Sequence, residues 1–412
     1  MNFLFVHRYL IGQFKHLIQY LGASGRHRIV CLGQIEGPEA RTVAEGRQER
    51  HFYRLQQGLD RGNQGLEGRF GLDLAHAAAA ARSMEKLKRS GFVPDLILAH
   101  TGWGEALFCK DVFPDVPLIG YFEYFYRSEG GDADFFPGHT LSLESRGLIR
   151  ALNAGQLLSL ADCDAGVSPT SWQRNGFPTE LRGKIQQIHE GVDLNEFRPS
   201  RQVRLTLETG QCLSKESEVV TYVSRSLEPF RGFPQFLQAI QQLQRRRPRM
   251  QVLVAGGDDV TYSPPLAGGL SYRETLCREL DLDLSRIHFL GWLQGEAYRR
   301  LLQVSSVHVY LTPPFVLSWS MLEAMASGCV VAASDTAPVR EVIQDGETGL
   351  LFDFFAPDLL AGTIEAVLDH PTRMRELGHR AREQIASHYD VNGSIARYRR
   401  LIGSLTGETA GL

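Results

Sequence analysis

The chain has 412 residues, too many for one ordinary hydrophobic core, so two large domains are expected. Hydrophobic residues make up 43% and charged residues 22%, the balance of a folded globular protein, and a net charge of -3 excludes a global pull toward nucleic acid or anionic lipid. Any phosphate binding must therefore be local.

Taken in chain order, residues 1–12 (MNFLFVHRYLIG) start as a short apolar run without a basic leader. No apolar stretch approaches the roughly 20 residues a membrane-spanning helix needs, and a cytoplasmic protein is expected. Short apolar runs then alternate with longer amphipathic ones, the pattern of parallel strands joined by crossover helices, which predicts the α/β class. Strands are predicted over 2–6, 29–32, 95–99, 117–121, 164–167 and 185–189, with an Ala-rich helix over 72–89 that stops at Gly91 and Pro94. The segment SPTSWQ (168–173) reads as a cap at Ser168, a proline at the first helical position and a short helix.

Residues 195–217 are polar and without period, and are read as a linker after an N-terminal domain over 1–194. A second βα series follows, with strands predicted over 219–223, 251–255, 287–290, 307–311, 330–333 and 349–352. It defines a C-terminal domain over 218–388, followed by a last helix over 389–412. Two Rossmann-like sheets in one chain predict a ligand cleft between them, beyond the carboxyl ends of the strands. The six cysteines, at 31, 109, 163, 212, 277 and 329, form no CxxC pair and are expected as free thiols. Arg245, Arg246 and Arg247 end a helix before Pro248, where cations complement the helix dipole, and read as a solvated helix end.

The most informative stretch is YLTPPFVLSWSMLEAMASGCVVAAS (310–334): strand, irregular loop, helix from about Ser318, glycine stop, next strand. Main-chain N–H groups at that helix start, from Val316, Leu317 and Ser318 onward, suit an anionic or hydroxyl-rich ligand. Glu323, alone in a small apolar run, must face solvent or a partner, and its two oxygens suit a ribose diol. In YVSRSLEPFRGF (222–233), Arg225 and Arg231 follow a strand end, and planar guanidinium groups there match diphosphate oxygens.

These segments resemble glycosyltransferase family 4, a retaining family of GT-B architecture, over most of the chain. The family's donor motif is a Glu, seven residues, and a second Glu followed by Ala-Met-Ala-x-Gly. Glu323 matches the second Glu, which the resemblance makes a ribose ligand, while Phe315 stands at the first, where relatives contact the donor sugar. The resemblance also implies diphosphate contacts for Arg225 and for Arg231, which replaces a lysine at a spacing one residue longer. Gly12, with Gln13, stands in the place of the N-terminal glycine loop. His100, after the strand in LILAHTGWGEALF (96–108), matches a histidine that reaches the donor's anomeric region, and Trp103 and Glu105 are candidate acceptor contacts. In HEGVDLNEF (189–197), Gly191 and Asp193 match the turn that ends the first domain, and a hinge role is carried over to Gly191.

The expected reaction is transfer of a sugar from a nucleoside diphosphate donor to an acceptor hydroxyl, with retention. Neither cofactor nor metal is expected, and no nucleic acid. The acceptor is left open among a glycan, a lipid-linked sugar and a small molecule, and peripheral membrane contact is compatible with this reading. Three Asp-x-Asp triplets, Asp132/Asp134, Asp162/Asp164 and Asp281/Asp283, suit magnesium in principle, yet none ends a strand beside the donor motifs. Two other classes fit the same architecture: a nucleotide-sugar epimerase and a noncatalytic subunit that has lost the first motif Glu.

Overall fold

A computed structural model describes residues 1–35, 43–45, 47–55, 66–138 and 140–408. The chain forms two compact units, Met1–Gly191 together with Val391–Leu412, and Val192–Asp390.

The first unit holds β1 (Asn2–Val6), β2 (Arg28–Gln34), β3 (Val43–Glu45), β4 (Gln48–Tyr53), β5 (Leu96–His100), β6 (Leu118–Tyr121), β7 (Ala165–Ser168) and β8 (Ile185–Gln187). They form one sheet in the order β3-β4-β2-β1-β5-β6-β7-β8, parallel except for the β3–β4 pair. Alternate side chains of a strand go to opposite faces, so a sheet covered on both sides needs unbroken apolar runs. Phe3 and Phe5 of β1 join Cys31, Leu96 and Leu98 in a core that includes Leu17 and Leu21 of helix α1 (Lys15–Ala23). Leu4 and Val6 point the other way, into a core with Val30, Leu32 and Ile97 that includes Ala80 and Met84 of α2 (Leu66–Arg89). The remaining helices of this unit are α3 (Cys109–Val112), α4 (Leu143–Asp162), α5 (Ser171–Gly176) and α13 (Val391–Thr406), the last of which puts Ile395, Tyr398, Leu401 and Ile402 against the Phe3–Phe5 face.

Three local readings are corrected. The helix predicted from 72 starts at Leu66. The cap of α5 is Thr170, whose hydroxyl accepts from Gln173 N at 3.1 Å, so Pro169 lies outside the helix. Strand β4, of sequence QERHFY, was not predicted because only Tyr53 in it is fully buried and the charges of Glu49 and Arg50 mask the alternation.

The second unit holds β9 (Leu205–Thr206), β10 (Cys212–Leu213), β11 (Val219–Ser226), β12 (Gln251–Gly257), β13 (Ile287–Phe289), β14 (Val307–Tyr310), β15 (Val330–Ser334) and β16 (Leu350–Phe352). The last six form a parallel sheet in the order β13-β12-β11-β14-β15-β16. Its helices are α6 (Phe233–Arg246), α7 (Tyr272–Glu279), α8 (Gly295–Val304), α9 (Trp319–Ala326), α10 (Ala337–Arg340), α11 (Pro357–Asp369) and α12 (Pro371–His388). Residues 195–217, read as a linker, lie within this unit. Strands β9 and β10 pair antiparallel there, and Phe197, Val203, Leu207 and Leu213 enter the core, four irregularly spaced anchors that no period could reveal.

Strand β11 runs past its predicted end to Ser226, and its register against β12 shifts between Val223 and Ser226. The irregularity re-aims the strand end that carries Arg225. In both sheets the chain order reverses at the first long strand: β1 lies between β2 and β5, and β11 between β12 and β14. Ligands of doubly wound folds bind beyond strand ends at such switch points, which is where the candidate residues of each unit stand.

Candidate functional site

In the second unit, β11 leads into the turn Pro229–Arg231 and β14 into the loop that starts α9. Arg231 bridges them. Its Nη1 donates to Thr312 Oγ1 at 2.7 Å and to the Val316 carbonyl at 3.4 Å, and its guanidinium carbon lies 5.4 to 5.7 Å from the ring centroids of Tyr262, Phe315 and Phe230. Cations gain from such ring faces, the more so where water is excluded. Phe315 is only 7% exposed and meets Phe230 and Tyr262 edge-on, at 5.3 Å each. Phe315 is thus one wall of an aromatic cage around Arg231. Arg225 is solvent-exposed and makes no ion pair among the described residues.

At the start of α9, Ser318 caps the helix, its Oγ accepting from Ser320 N at 3.3 Å. The Ser318 amide is already spent on Tyr310 Oη at 2.8 Å, which removes it from the expected ligand donors. Val316 and Leu317 have amides without an acceptor among the described residues. One turn into α9, the half-buried Glu323 accepts from Tyr298 Oη at 2.7 Å through Oε2. Burial first, and then the Glu323 charge, hold the Tyr298 phenol well above its ordinary range, so it stays a donor.

Behind this cluster, the fully buried Glu228 accepts from the amides of Thr261, Tyr262 and Ser263 at 2.9 to 3.2 Å. It pins the loop that brings Tyr262 onto Arg231. Neither Glu228 nor Tyr298 was singled out from sequence. Tyr298 lies outside the motifs and Glu228 between the two arginines of one, and their partners are 25 to 35 residues away.

In the first unit, His7 follows the end of β1 and His100 ends β5, and the two rings meet at 5.1 Å. Both are 1% exposed. His7 Nδ1 accepts from Tyr9 N, which leaves the proton on Nε2 to donate to Gln13 Oε1 at 2.7 Å. Gln13 in turn donates to Glu123 Oε1 at 2.6 Å. His100 Nδ1 accepts from Gly102 N, and its Nε2 faces Glu123 Oε2 at 3.5 Å. Burial opposes charge on Glu123, but His100 and Gln13 outweigh it and hold the carboxyl below its ordinary value. Burial and the neighbouring His100 push His7 down to about 3, so it stays neutral.

Both nitrogens of His100 are therefore directed at the unit's own groups, and the residue left to face a ligand is Glu123, whose side chain is 24% exposed. Trp103 stacks on His100 at 4.0 Å and remains half-exposed. Gly12 has φ 44°, and a Cβ there would lie 2.1 Å from His7 Nε2, so this glycine is required by the histidine packed against it. Glu105 is a correction. It is fully buried, with Oε1 accepting from Arg8 Nε at 2.8 Å and Tyr53 Oη at 2.5 Å, and it offers no surface to an acceptor.

Two family models match the chain, one described as "Glycosyl transferase family 4 group" over residues 25–197 and one as "Glycosyl transferases group 1" over residues 209–384. The chain belongs to the family 4 glycosyltransferases. The D-inositol 3-phosphate glycosyltransferase of Nocardia farcinica is 27% identical to it over 270 residues, 63% of this chain and 57% of that protein. The chain spans a little over half the length of the first curated relatives it matches. Among solved structures, sucrose-phosphate synthase of Thermosynechococcus elongatus superposes with a TM-score of 0.76 at 18% identity, covering 99% of each chain. HepE of Anabaena in complex with UDP-glucose does so with 0.69 at 17% identity, covering 98% of this chain and 100% of that one. The fold is GT-B.

In this glycosyltransferase five of the six Asp-x-Asp carboxylates serve local structure. Asp132 accepts from Tyr124 Oη, Asp134 from the amides of Gly130 and Gly131, Asp164 from Leu118 N and Lys110 Nζ, and Asp283 from Ser285 and Arg286, while Asp281 pairs with Arg245. No cluster of three metal-ligating side chains occurs among the described residues. All six cysteines are free, and no helix among the described residues is long and apolar enough to cross a membrane. Gly191 has φ 89°, and a Cβ there would lie 2.5 Å from Val391 Cα, so the start of α13 requires its glycine. Its neighbour Glu190 accepts from the Tyr121 hydroxyl and faces His189 Nε2 at 3.3 Å.

Proposed function

We propose that this glycosyltransferase moves a sugar from a nucleoside diphosphate donor to an acceptor hydroxyl, with retention of anomeric configuration and without a metal. What supports the reading is that exposed Arg225 stands at the end of β11, while the open amides of Val316 and Leu317, and Glu323 held by Tyr298, follow the adjacent β14 at the switch point of the second unit. Departure of the nucleoside diphosphate builds negative charge on its phosphates. Arg225 and the two amides supply fixed positive potential to meet it, and preorganised dipoles need no reorganisation as charge develops. Glu323 takes the ribose diol, with Tyr298 fixing the plane of its carboxylate. Arg231 acts chiefly as a positioning residue, since its Nη1 hydrogens are committed to Thr312 and Val316.

The acceptor is assigned to the first unit, where Trp103 offers a face and Glu123 an acceptor for its hydroxyl. His100 works through Glu123 rather than by touching the donor. The HepE complex with UDP-glucose and the inositol phosphate named for the Nocardia relative favour a uridine donor and a small polyol or its phosphate as the first acceptors to try. The test is nucleotide release from a panel of nucleotide sugars, with and without such acceptors. Acceptor-dependent release with a retained anomeric centre by NMR supports the proposal. Interconversion of the sugar without an acceptor makes the protein an epimerase, and binding without turnover makes it a noncatalytic subunit.

A further inference from the structure

The first unit carries a second cationic feature, built on α13, α5 and the edge strand β8. An open groove of about 490 Å³ is lined there by Arg174, Arg397 and Arg400 together with Gly183, Gln186 and Gln187. No aspartate or glutamate lines it. Helix α13 contains Arg397, Arg399 and Arg400 and not one carboxylate. Arg397 and Arg400 lie one turn apart on one helix face, where like charges repel, and neither has an ion-pair partner among the described residues.

Arg174 is fixed in place. Its Nε donates to the Ile185 carbonyl at 2.6 Å and its Nη2 to the Arg182 carbonyl at 3.3 Å, which leaves Nη1 without an acceptor among the described residues. The nearby Lys184 is spent elsewhere, its Nζ donating to the carbonyls of Leu160, Ala161 and Cys163 at the end of α4. The chain thus discharges one cation on a helix terminus and leaves three guanidinium groups around a concave surface with no counter-charge.

We propose that this groove binds a phosphate-bearing anion, a phosphomonoester or diphosphate group, held by Arg174, Arg397 and Arg400. Guanidinium forks match phosphate oxygens and stay charged at every physiological pH, and an anion between Arg397 and Arg400 turns their repulsion into attraction. The ligand would tie the terminal helix to the edge strand of the first unit. Nothing in the donor chemistry of the second unit calls for this site.

The test is pyrophosphate titration of the full chain saturated with UDP, so that the proposed donor site is occupied. Arg397→Gln/Arg400→Gln is expected to weaken pyrophosphate about tenfold or more, with UDP affinity unchanged. Arg225→Ala should do the reverse, which separates failure of this site from failure of the donor reading. Sedimentation with phosphatidylcholine vesicles containing phosphatidylglycerol distinguishes the source. Variant-sensitive vesicle binding assigns a lipid headgroup, and variant-sensitive pyrophosphate binding alone assigns a soluble phosphate. Equal behaviour of wild type and double variant in both arms, or binding of neither probe, overturns the proposal.

Discussion

The Tyr298 hydroxyl reaches from helix α8 to Glu323 on α9, donating at 2.7 Å, and this bond sets the carboxylate before any ligand arrives. Tyr298→Phe is expected to weaken a nucleotide sugar by about three- to tenfold, the size of one ordinary hydrogen bond, because the tyrosine acts on the ligand only through Glu323. Glu323→Ala should weaken it further, because the ribose contact itself is removed. Titration calorimetry on folded variants decides, and unchanged donor affinity for Glu323→Ala sinks the ribose assignment.

Phe315 is expected to matter more for the donor sugar than for the nucleotide. Truncating it opens the aromatic cage and loosens Arg231 from the 312–316 loop. The cost to stability is about 3 to 5 kcal/mol for a buried Phe→Ala change, so Phe315→Leu is the companion variant. Both should lower affinity for the nucleotide sugar more than for UDP, and shift the order of preference in a donor panel. Equal losses for UDP and donor show instead that the ring merely supports the fold.

Activity should persist in EDTA. Phosphate charge is assigned to Arg225 and the amides of Val316 and Leu317, and each described Asp-x-Asp carboxylate with a recorded contact already serves its own backbone or a neighbouring cation. Loss of turnover in EDTA with rescue by magnesium or manganese would falsify this assignment.

Acid should destabilise the protein through three neutral buried histidines, His7, His76 and His308, each pushed from 6.5 to about 3. Burial is the main cause in all three, with help from His100 at His7 and from Arg8 and Arg69 at His76. A group depressed in the folded state contributes stability above its unfolded value, and that contribution is lost as pH falls from about 6.5 toward 3. The expected slope is about 1.4 kcal/mol per pH unit for each histidine between those limits. His308 accepts or donates at Thr221 Oγ1 across 2.9 Å deep in β14. Denaturant curves of His308→Gln should show the slope reduced by about one proton; an unaltered slope means the histidine is charged in the folded state.

Much of the fold was legible because both sheets are covered on both faces, which forces apolar runs such as Phe3–Val6 and Val330–Ala333 that stand out from any helix. The elements that escaped are held by contacts distant in sequence. Strand β4 is paid for by its pairing with β2 and by Tyr53 reaching Glu105, and the 195–217 segment by four anchors of no fixed spacing. The same holds for the candidate site. Arg225, Arg231 and Glu323 were readable as charges in motifs, whereas the engagement of His100, Glu105 and the Ser318 amide depends on Glu123, Arg8, Tyr53 and Tyr310, which no local pattern connects to them.

Helix α13 follows the whole second unit in the chain yet completes the core of the first. On the ribosome the second unit can therefore finish folding while the first still shows water the Phe3, Phe5 and Tyr121 face that Ile395, Tyr398 and Ile402 will cover. A stop codon just before α13 should leave a soluble, folded second unit and a first unit dependent on chaperones. Supplying α13 as a separate peptide is the corresponding rescue.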